Sequence, residues 1–252
     1  MSGHSKWATI KHKKGAADAK RGKIFSKIAK EIMVAAQQGG GDPTANITLR
    51  SLIQKGKGVN MPNENIERAI KKGTGELGAT SFEEIVYEGY AGGGVALIVK
   101  VLTDNRNRAA AEIRHIFGKH GSSFAQQGSV SRSFERKGQI LVDAASVTED
   151  RLMEVALEAG ADDIVLDGEQ YEILADPSAF ADICDALEAA GIEAAGKEIT
   201  LLPMLSAPVT DPALARSILR FVAALEDNDD VQNVYTNMEM TDEVMDAVGE
   251  DA

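Results

Sequence analysis

The hydrophobic period of the chain changes near residue 82, and this change limits the fold more than any other feature. Residues 16–38 place apolar side chains at spacings of four and three, which is the period of an amphipathic helix. From residue 82, the runs EEIVYEGY and GVALIVKVL are typical of strands, and the intervening AGGG is typical of a hairpin turn. A helical region is therefore predicted to precede a region of mixed strands and helices.

The helical region is predicted to contain three helices. A triplet of glycines is expected to end the first helix. Asp42, which precedes a proline, is the expected N-cap of the second helix, and Asn63 or Asn65 that of the third. Residues 1–80 are thus predicted to form a basic helical domain. Its first 15 residues have few apolar side chains and are expected to be an arm that orders on a partner.

Residues 137–204 show the order β-α-β-β-α-β, which is that of a ferredoxin-like unit. Residues 205–240 hold one helix and one strand, which is too little for a domain, and residues 81–136 lack the same two elements. The later segment is therefore expected to return and complete a middle domain, with the ferredoxin-like unit inserted into it. The predicted fold class is α+β multidomain, with an N-terminal three-helix domain followed by two α+β domains. Residues 241–252 are expected to be an acidic tail.

Charge is segregated along the chain. The net charge is −12, but residues 1–80 carry a net +9 and residues 139–252 a net −23. Such asymmetry indicates that one end of the protein meets a polyanion. The acidic half is expected to face away from the polyanion or to dock on a basic protein.

The composition also indicates a compartment. The single cysteine, Cys184, excludes a disulfide framework and favours a reducing environment. No apolar run approaches the roughly 18–20 residues that cross a bilayer. A cytoplasmic protein without a membrane partner is therefore expected.

The basic residues at the start of the chain are the main candidates for nucleic-acid binding. Residues 1–30 hold nine basic side chains and one acidic side chain. Four lysines recur at spacings of 3, 4 and 3, which places them in a stripe beside the apolar stripe of the first helix. Such a stripe can neutralise phosphates, and Trp7 can stack on an unpaired base. The alternative is a solvated helix face. The predicted contacts in this region are His4, Lys6, Trp7, Lys11, His12, Lys13, Lys14, Lys20, Arg21, Lys23, Lys27 and Lys30.

A second candidate is DNRNR, which opens a predicted helix. Arg106 and Arg108 are predicted to contact phosphates near the helix N-terminus. The simpler alternative is capping by Asp104 or Asn105, with both arginines at the surface. A helix-turn-helix across residues 43–72 shows no evident row of base-reading side chains, so contact with shape and backbone is favoured.

No catalytic or metal-binding pattern is evident. The run GYAGGG leads into a strand and lacks the lysine of a phosphate loop. His115 and His120 have no cluster of further ligands around them, and Cys184 has no cationic neighbour in sequence. The sequence therefore predicts a protein that is not an enzyme, with no cofactor, no metal and no small-molecule substrate.

Several segments resemble the YebC family, namely GHSKW, KRGKIFSK, YEGYAGGG and DNRNR. The resemblance extends along nearly the whole chain, and the family includes the mitochondrial translational activator of cytochrome c oxidase subunit I. It implies a helical N-terminal domain and two α+β domains, one inserted in the other. For function it implies a DNA-binding transcriptional regulator. The alternative that it implies is a ribosome-associated translation factor that relieves stalling at proline-rich stretches.

Sequence and resemblance together predict a nucleic-acid-binding regulator of gene expression. Its partner is expected to be duplex DNA or ribosomal RNA, the latter in the ribosome. The charge pattern alone indicates a polyanion and leaves the choice between DNA and RNA open.

Overall fold

The computed structural model describes residues 18–78 and 81–249, apart from the side chains of residues 18–21 and 249. The described residues form two compact units. One contains residues 18–127 and 213–234, and the other contains residues 128–212 and 235–249.

The elements follow one another in the order that the change of period predicts, with helices first and mixed strands and helices afterwards. The helices are α1 Asp18–Gly39, α2 Ile47–Gly58, α3 Asn63–Gly73, α4 Arg106–Lys119, α5 Glu149–Glu158, α6 Phe180–Ala189, α7 Pro212–Glu226 and α8 Asp242–Gly249. The strands are β1 Glu83–Tyr90, β2 Ala96–Thr103, β3 Ser123–Phe124, β4 Phe134–Asp143, β5 Asp163–Asp167, β6 Gln170–Ala175, β7 Ala194–Pro203, β8 Ala207–Val209, β9 Val231–Thr236 and β10 Met238–Met240.

Helices α1, α2 and α3 pack around a small apolar core. The predicted stripe of α1 supplies Ile28 and Ile32, while Leu49 and Ile66 come from the other two helices. Ile24, which belongs to the same stripe, is 37% exposed. Helix α1 ends at the glycine triplet as predicted, and the second glycine of the triplet takes a left-handed φ of +83°.

The predicted N-cap of the second helix is wrong. Asn46, rather than Asp42, caps α2, and its carboxamide oxygen accepts a hydrogen bond from the Leu49 amide at 3.0 Å. The Asp42 carboxylate instead accepts hydrogen bonds from the amide and the hydroxyl of Thr44, at 2.9 Å and 2.8 Å. The side-chain amide of Asn46 also donates to the Ala35 carbonyl at 2.8 Å, so this buried side chain ties the start of α2 to α1.

The predicted caps of the third helix are also wrong. Helix α3 begins directly after Pro62, and no side chain caps its first turn. Asn63 and Asn65 both lie inside the helix. The fixed φ of proline, here −58°, sets the direction in which the chain enters α3.

The unit that contains α1, α2 and α3 also contains a four-stranded sheet in the order β3-β1-β2-β9. Strands β1 and β2 form the predicted antiparallel hairpin, and Gly93 and Gly94 take positive φ in its turn. Strand β9 lies beside β2, although more than 120 residues separate the two strands in sequence. The Phe117 ring of α4 packs edge to face on Phe221 of α7, with 4.9 Å between ring centroids.

The second unit contains a four-stranded antiparallel sheet in the order β5-β6-β4-β7. Together with α5 and α6, these strands have the βαββαβ order of a ferredoxin-like fold. The core of this unit includes Ile140, Leu152, Ile173 and Ile183. The short strands β8 and β10 pair in parallel in the same unit.

The predicted fold class is confirmed. A helical N-terminal region precedes two α+β regions, and the ferredoxin-like elements interrupt the elements of the other sheet in sequence. The exact domain boundaries at residues 80, 136 and 204 stay a prediction. Within the described residues, no helix combines the length and the apolar character that a membrane span needs.

Candidate nucleic-acid interface

The lysine stripe of α1 contacts the segment at the end of α7. The Lys27 ammonium donates to the Glu226 carbonyl at 2.7 Å, and the Lys30 ammonium donates to the Asp229 carbonyl at 2.9 Å. Lys23 pairs with the carboxylate of the intervening Asp227. Carbonyl groups at the C-terminal end of a helix carry partial negative charge and attract cations. Three lysines that were predicted to bind phosphates thus bind the end of a helix of the same protein.

Asp230 is the centre of these contacts. It is 3% exposed, and its carboxylate accepts hydrogen bonds from Lys30 at 2.6 Å, Arg108 at 2.8 Å and Thr103 at 2.9 Å. Burial by itself would raise the pKa of Asp230, but the hydrogen bonds from Arg108, Lys30 and Thr103 outweigh burial and lower it. Asp230 therefore joins α1, β2 and α4 as a buried anion with two cationic partners.

The two arginines of DNRNR have different environments. Arg108 pairs with Asp230 and with Asp104, and these hydrogen bonds raise the pKa of its guanidinium. The Arg106 side chain is 70% exposed, and the carboxylate with which it pairs, that of Glu83, is 3.9 Å away. The capping residue of α4 is Asn105, which accepts a hydrogen bond from the Arg108 amide at 3.1 Å and so confirms the predicted capping. Of the two arginines, Arg106 is the one whose charge faces solvent.

The remaining predicted contacts lie outside what the structure describes. Lys20 and Arg21 belong to α1, but their side chains are not among the described ones. The arm residues precede residue 18 and are outside the described residues, namely His4, Lys6, Trp7, Lys11, His12, Lys13 and Lys14.

Helix α2 has an exposed row that the sequence analysis missed. Arg50, Gln54 and Lys57 recur at spacings of four and three and are all exposed, and Ile47, three residues before Arg50, is 75% exposed. None of the ion pairs among the described residues involves Arg50 or Lys57. Arginine, glutamine and lysine are side chains that read base edges in a major groove, and an apolar side chain can contact a thymine methyl group. The spacing was visible in the sequence, but the opposite, buried face of α2 was needed to recognise the row.

Helix α3 adds further cations to the same helical region. Arg68, Lys71 and Lys72 are exposed and lie within about 100° of one another around the helix axis, away from the buried Ile66 and Ala69. Exposed cations of this kind attract phosphate groups without reading sequence. Together, α2 and α3 present the chemistry for both positioning and base contact.

Sequence comparison places the chain in a family. The family described as TACO1/YebC protein N-terminal domain matches residues 5–76, and the one described as TACO1/YebC second and third domain matches residues 82–238. The chain belongs to the TACO1/YebC family, as its resemblance predicted.

Individual relatives agree with this assignment. A protein named probable transcriptional regulatory protein from Desulfotalea psychrophila is 52% identical over 99% of this chain and 100% of the relative. Another probable transcriptional regulatory protein, from Rubrobacter xylanophilus, is 54% identical over 97% of this chain and 98% of the relative. The crystal structure of a conserved hypothetical protein from Aquifex aeolicus matches with a TM-score of 0.84 and 46% identity, covering 95% of this chain and 98% of that chain.

Proposed function

We propose that this protein is a non-enzymatic, nucleic-acid-binding regulator of gene expression that acts in the cytoplasm. The relatives are named probable transcriptional regulatory proteins, and this name favours regulation of transcription through DNA. The observation that supports nucleic-acid binding most directly is the exposed row of Arg50, Gln54 and Lys57 on α2.

The proposed interface combines α2 with the cations around it. Arg68, Lys71 and Lys72 of α3 would contact phosphates, and so would Arg106 of α4 and the predicted residues of the arm. The α1 lysines at positions 23, 27 and 30 are assigned a different role, because their ammonium groups already have partners near the end of α7. Arg108 is assigned to the same internal network.

Charge reversal on α2 tests the proposal. Anisotropy of a labelled duplex DNA and of a labelled, folded ribosomal RNA fragment would be measured over a series of salt concentrations. The test protein carries Arg50→Glu and Lys57→Glu. The control carries Arg151→Glu and Lys197→Glu, which make the same change in net charge on exposed residues of the ferredoxin-like unit.

The expected result is a loss of affinity in the α2 variant, because each lost base contact costs about 1–3 kcal/mol. Equal losses in both variants would indicate a general charge effect and contradict the proposed interface. Preference for duplex DNA would support transcriptional regulation, whereas preference for folded RNA would support the translation alternative.

A further inference from the structure

The open edge of the sheet in the first unit presents two aromatic rings. Strand β3 pairs with β1 only at Gly89 and Tyr90, so most of that edge of β1 has no neighbouring strand among the described residues. Tyr87 lies on this strand, and its ring meets that of Phe124 edge to face, with centroids 5.9 Å apart and an interplanar angle of 80°. Phe124 is 38% exposed.

The Phe124 ring packs on a buried aromatic residue. Phe124 stacks on Phe117 with centroids 4.3 Å apart and an interplanar angle of 26°. Phe117 is 1% exposed and packs in turn against Phe221. Phe124 is therefore held in one orientation by the core while part of its surface stays in contact with solvent. An aromatic ring held in this way loses little conformational entropy when a ligand stacks on it.

Helix α4, which carries the supporting ring of Phe117, also carries two exposed arginines. Arg106 and Arg114 are both exposed and are eight residues apart on α4, or about 12 Å along the helix axis. Burial raises the pKa of Tyr87, and the positive charges of Arg106 and Arg114 oppose that shift. None of the ion pairs among the described residues involves Arg114. Glu83, which pairs with Arg106, is 60% exposed and 3.9 Å away, so it neutralises that charge only weakly.

We propose that this edge binds an unpaired nucleotide of a single-stranded or looped nucleic acid. The base stacks on Phe124 with its edge towards Tyr87, and the flanking phosphates contact Arg106 and Arg114. A paired base has both faces covered by its neighbours in the duplex, so only an unpaired base can use the ring. This inference rests on the proposed function and adds a second contact to it, which shares Arg106 with the proposed interface.

The test compares single-stranded and duplex probes on the full chain. A labelled oligouridylate of about 12 nucleotides is within the length that stacking surfaces cover. The variants are Phe124→Leu, which keeps an apolar contact with Phe117, and Arg106→Gln with Arg114→Gln. The control is Tyr90→Leu. Tyr90 is an exposed aromatic residue of β1, and its side chain points to the face of the sheet opposite that of Tyr87.

The expected result is a loss of single-strand affinity of roughly 5- to 100-fold for Phe124→Leu, with duplex affinity changed by less than about 2-fold. The arginine double variant should also lose single-strand affinity, and Tyr90→Leu should bind like the wild type. Unchanged single-strand affinity in Phe124→Leu would overturn the inference, and the proposed function would stand if the α2 variant still lost binding. A wild-type protein that bound neither probe would overturn both.

A second measurement uses the wild-type protein, so it does not require any variant to fold. An oligonucleotide with 5-iodouridine would be cross-linked to the wild-type protein by light, and the modified residue would be identified by mass spectrometry. Cross-links at Phe124 or Tyr87 are expected. Cross-links confined to other residues would overturn the inference.

Discussion

Among the buried carboxylates of the described residues, Asp230 and Glu172, one from each unit, have opposite environments. Asp230, in the first unit, accepts hydrogen bonds from two cations, and its pKa is lowered. Glu172, in the ferredoxin-like unit, is 5% exposed, and burial raises its pKa, with Asp167 and Asp163 adding to the shift against a hydrogen bond from Gln139. Asp230, which comes from the acidic part of the sequence, is neutralised by two cations from earlier in the chain, whereas Glu172 lies beside other acids. The comparison shows that the fold, and not sequence position alone, decides whether a buried acid is neutralised.

The largest expected change in stability comes from removing the charge of Asp230. Asp230→Asn leaves Lys30 and Arg108 without their shared charged partner and should lower the free energy of unfolding by about 3 kcal/mol. Because the pKa of Asp230 is lowered on folding, its contribution is present above the ordinary aspartate pKa and is lost as the pH falls through the folded value. Urea unfolding at pH 7 and at lower pH would measure both the loss of stability and its dependence on pH. A loss below about 1 kcal/mol at pH 7 would contradict the role assigned to Asp230.

The next largest loss of stability is expected where a glycine that lies beneath a phenylalanine is replaced by alanine. Each unit contains one such glycine. A Cβ on Gly89 would overlap with the Phe117 ring and would lie 2.6 Å from the backbone carbonyl oxygen of Ser123. A Cβ on Gly138 would have its closest contacts with the Phe180 side chain alone, the nearest at 2.6 Å. Gly89→Ala should therefore cost about 3 kcal/mol and Gly138→Ala about 1 kcal/mol, since a side chain can move more easily than a strand. Thermal unfolding of the two variants would check the order, and the reverse order would contradict it.

A smaller change in stability, of opposite sign, is expected at Glu172. Because the pKa of Glu172 is raised on folding, its ionised form is disfavoured in the folded protein, and it lowers stability increasingly as the pH rises through the ordinary glutamate pKa. Glu172→Gln should raise the free energy of unfolding at pH 7 by roughly 1 kcal/mol, and the gain should shrink towards about pH 4. Urea unfolding at the two pH values would measure this. A variant that is less stable than the wild type at pH 7 would contradict it.

The smallest change in stability is expected at an exposed ion pair. It tests whether burial or pairing makes Asp230 important. Lys23 and Asp227 form an ion pair like that of Lys30 and Asp230, but their side chains are 39% and 74% exposed. Exposed pairs contribute little, so Asp227→Asn should change the free energy of unfolding by less than about 0.5 kcal/mol. The same urea experiment measures it. A loss as large as that of Asp230→Asn would mean that pairing, rather than burial, sets the stability of this network.

Local periodicity was sufficient to predict most of the fold. The spacing of Ile28 and Ile32 indicated the buried stripe of α1, and a count of helices and strands indicated that a late strand must return to an early sheet. The predicted cap of α2 failed because the choice of Asn46 depends on its bond to the Ala35 carbonyl, a contact between two helices. Periodicity cannot show such a contact.

The candidate site was harder to predict for the same reason. Periodicity placed Lys23, Lys27 and Lys30 on one face of α1, but their partners lie about 200 residues later in the chain. The row on α2 was present in the sequence at helical spacing, yet no row of base-reading side chains was recognised there. Phe124 lies in a strand of two residues, which is too short to produce a pattern.

The position of β9 has a consequence for synthesis of the protein. The hydrogen bond between Thr103 and Asp230 joins residues 127 positions apart, and β9 follows Asp230 directly. During translation, all the ferredoxin-like strands from β4 to β7 emerge before the last strand of the other sheet. The inserted fold can therefore form while its host sheet still lacks a strand, so the order of folding differs from the order in which the two sheets begin.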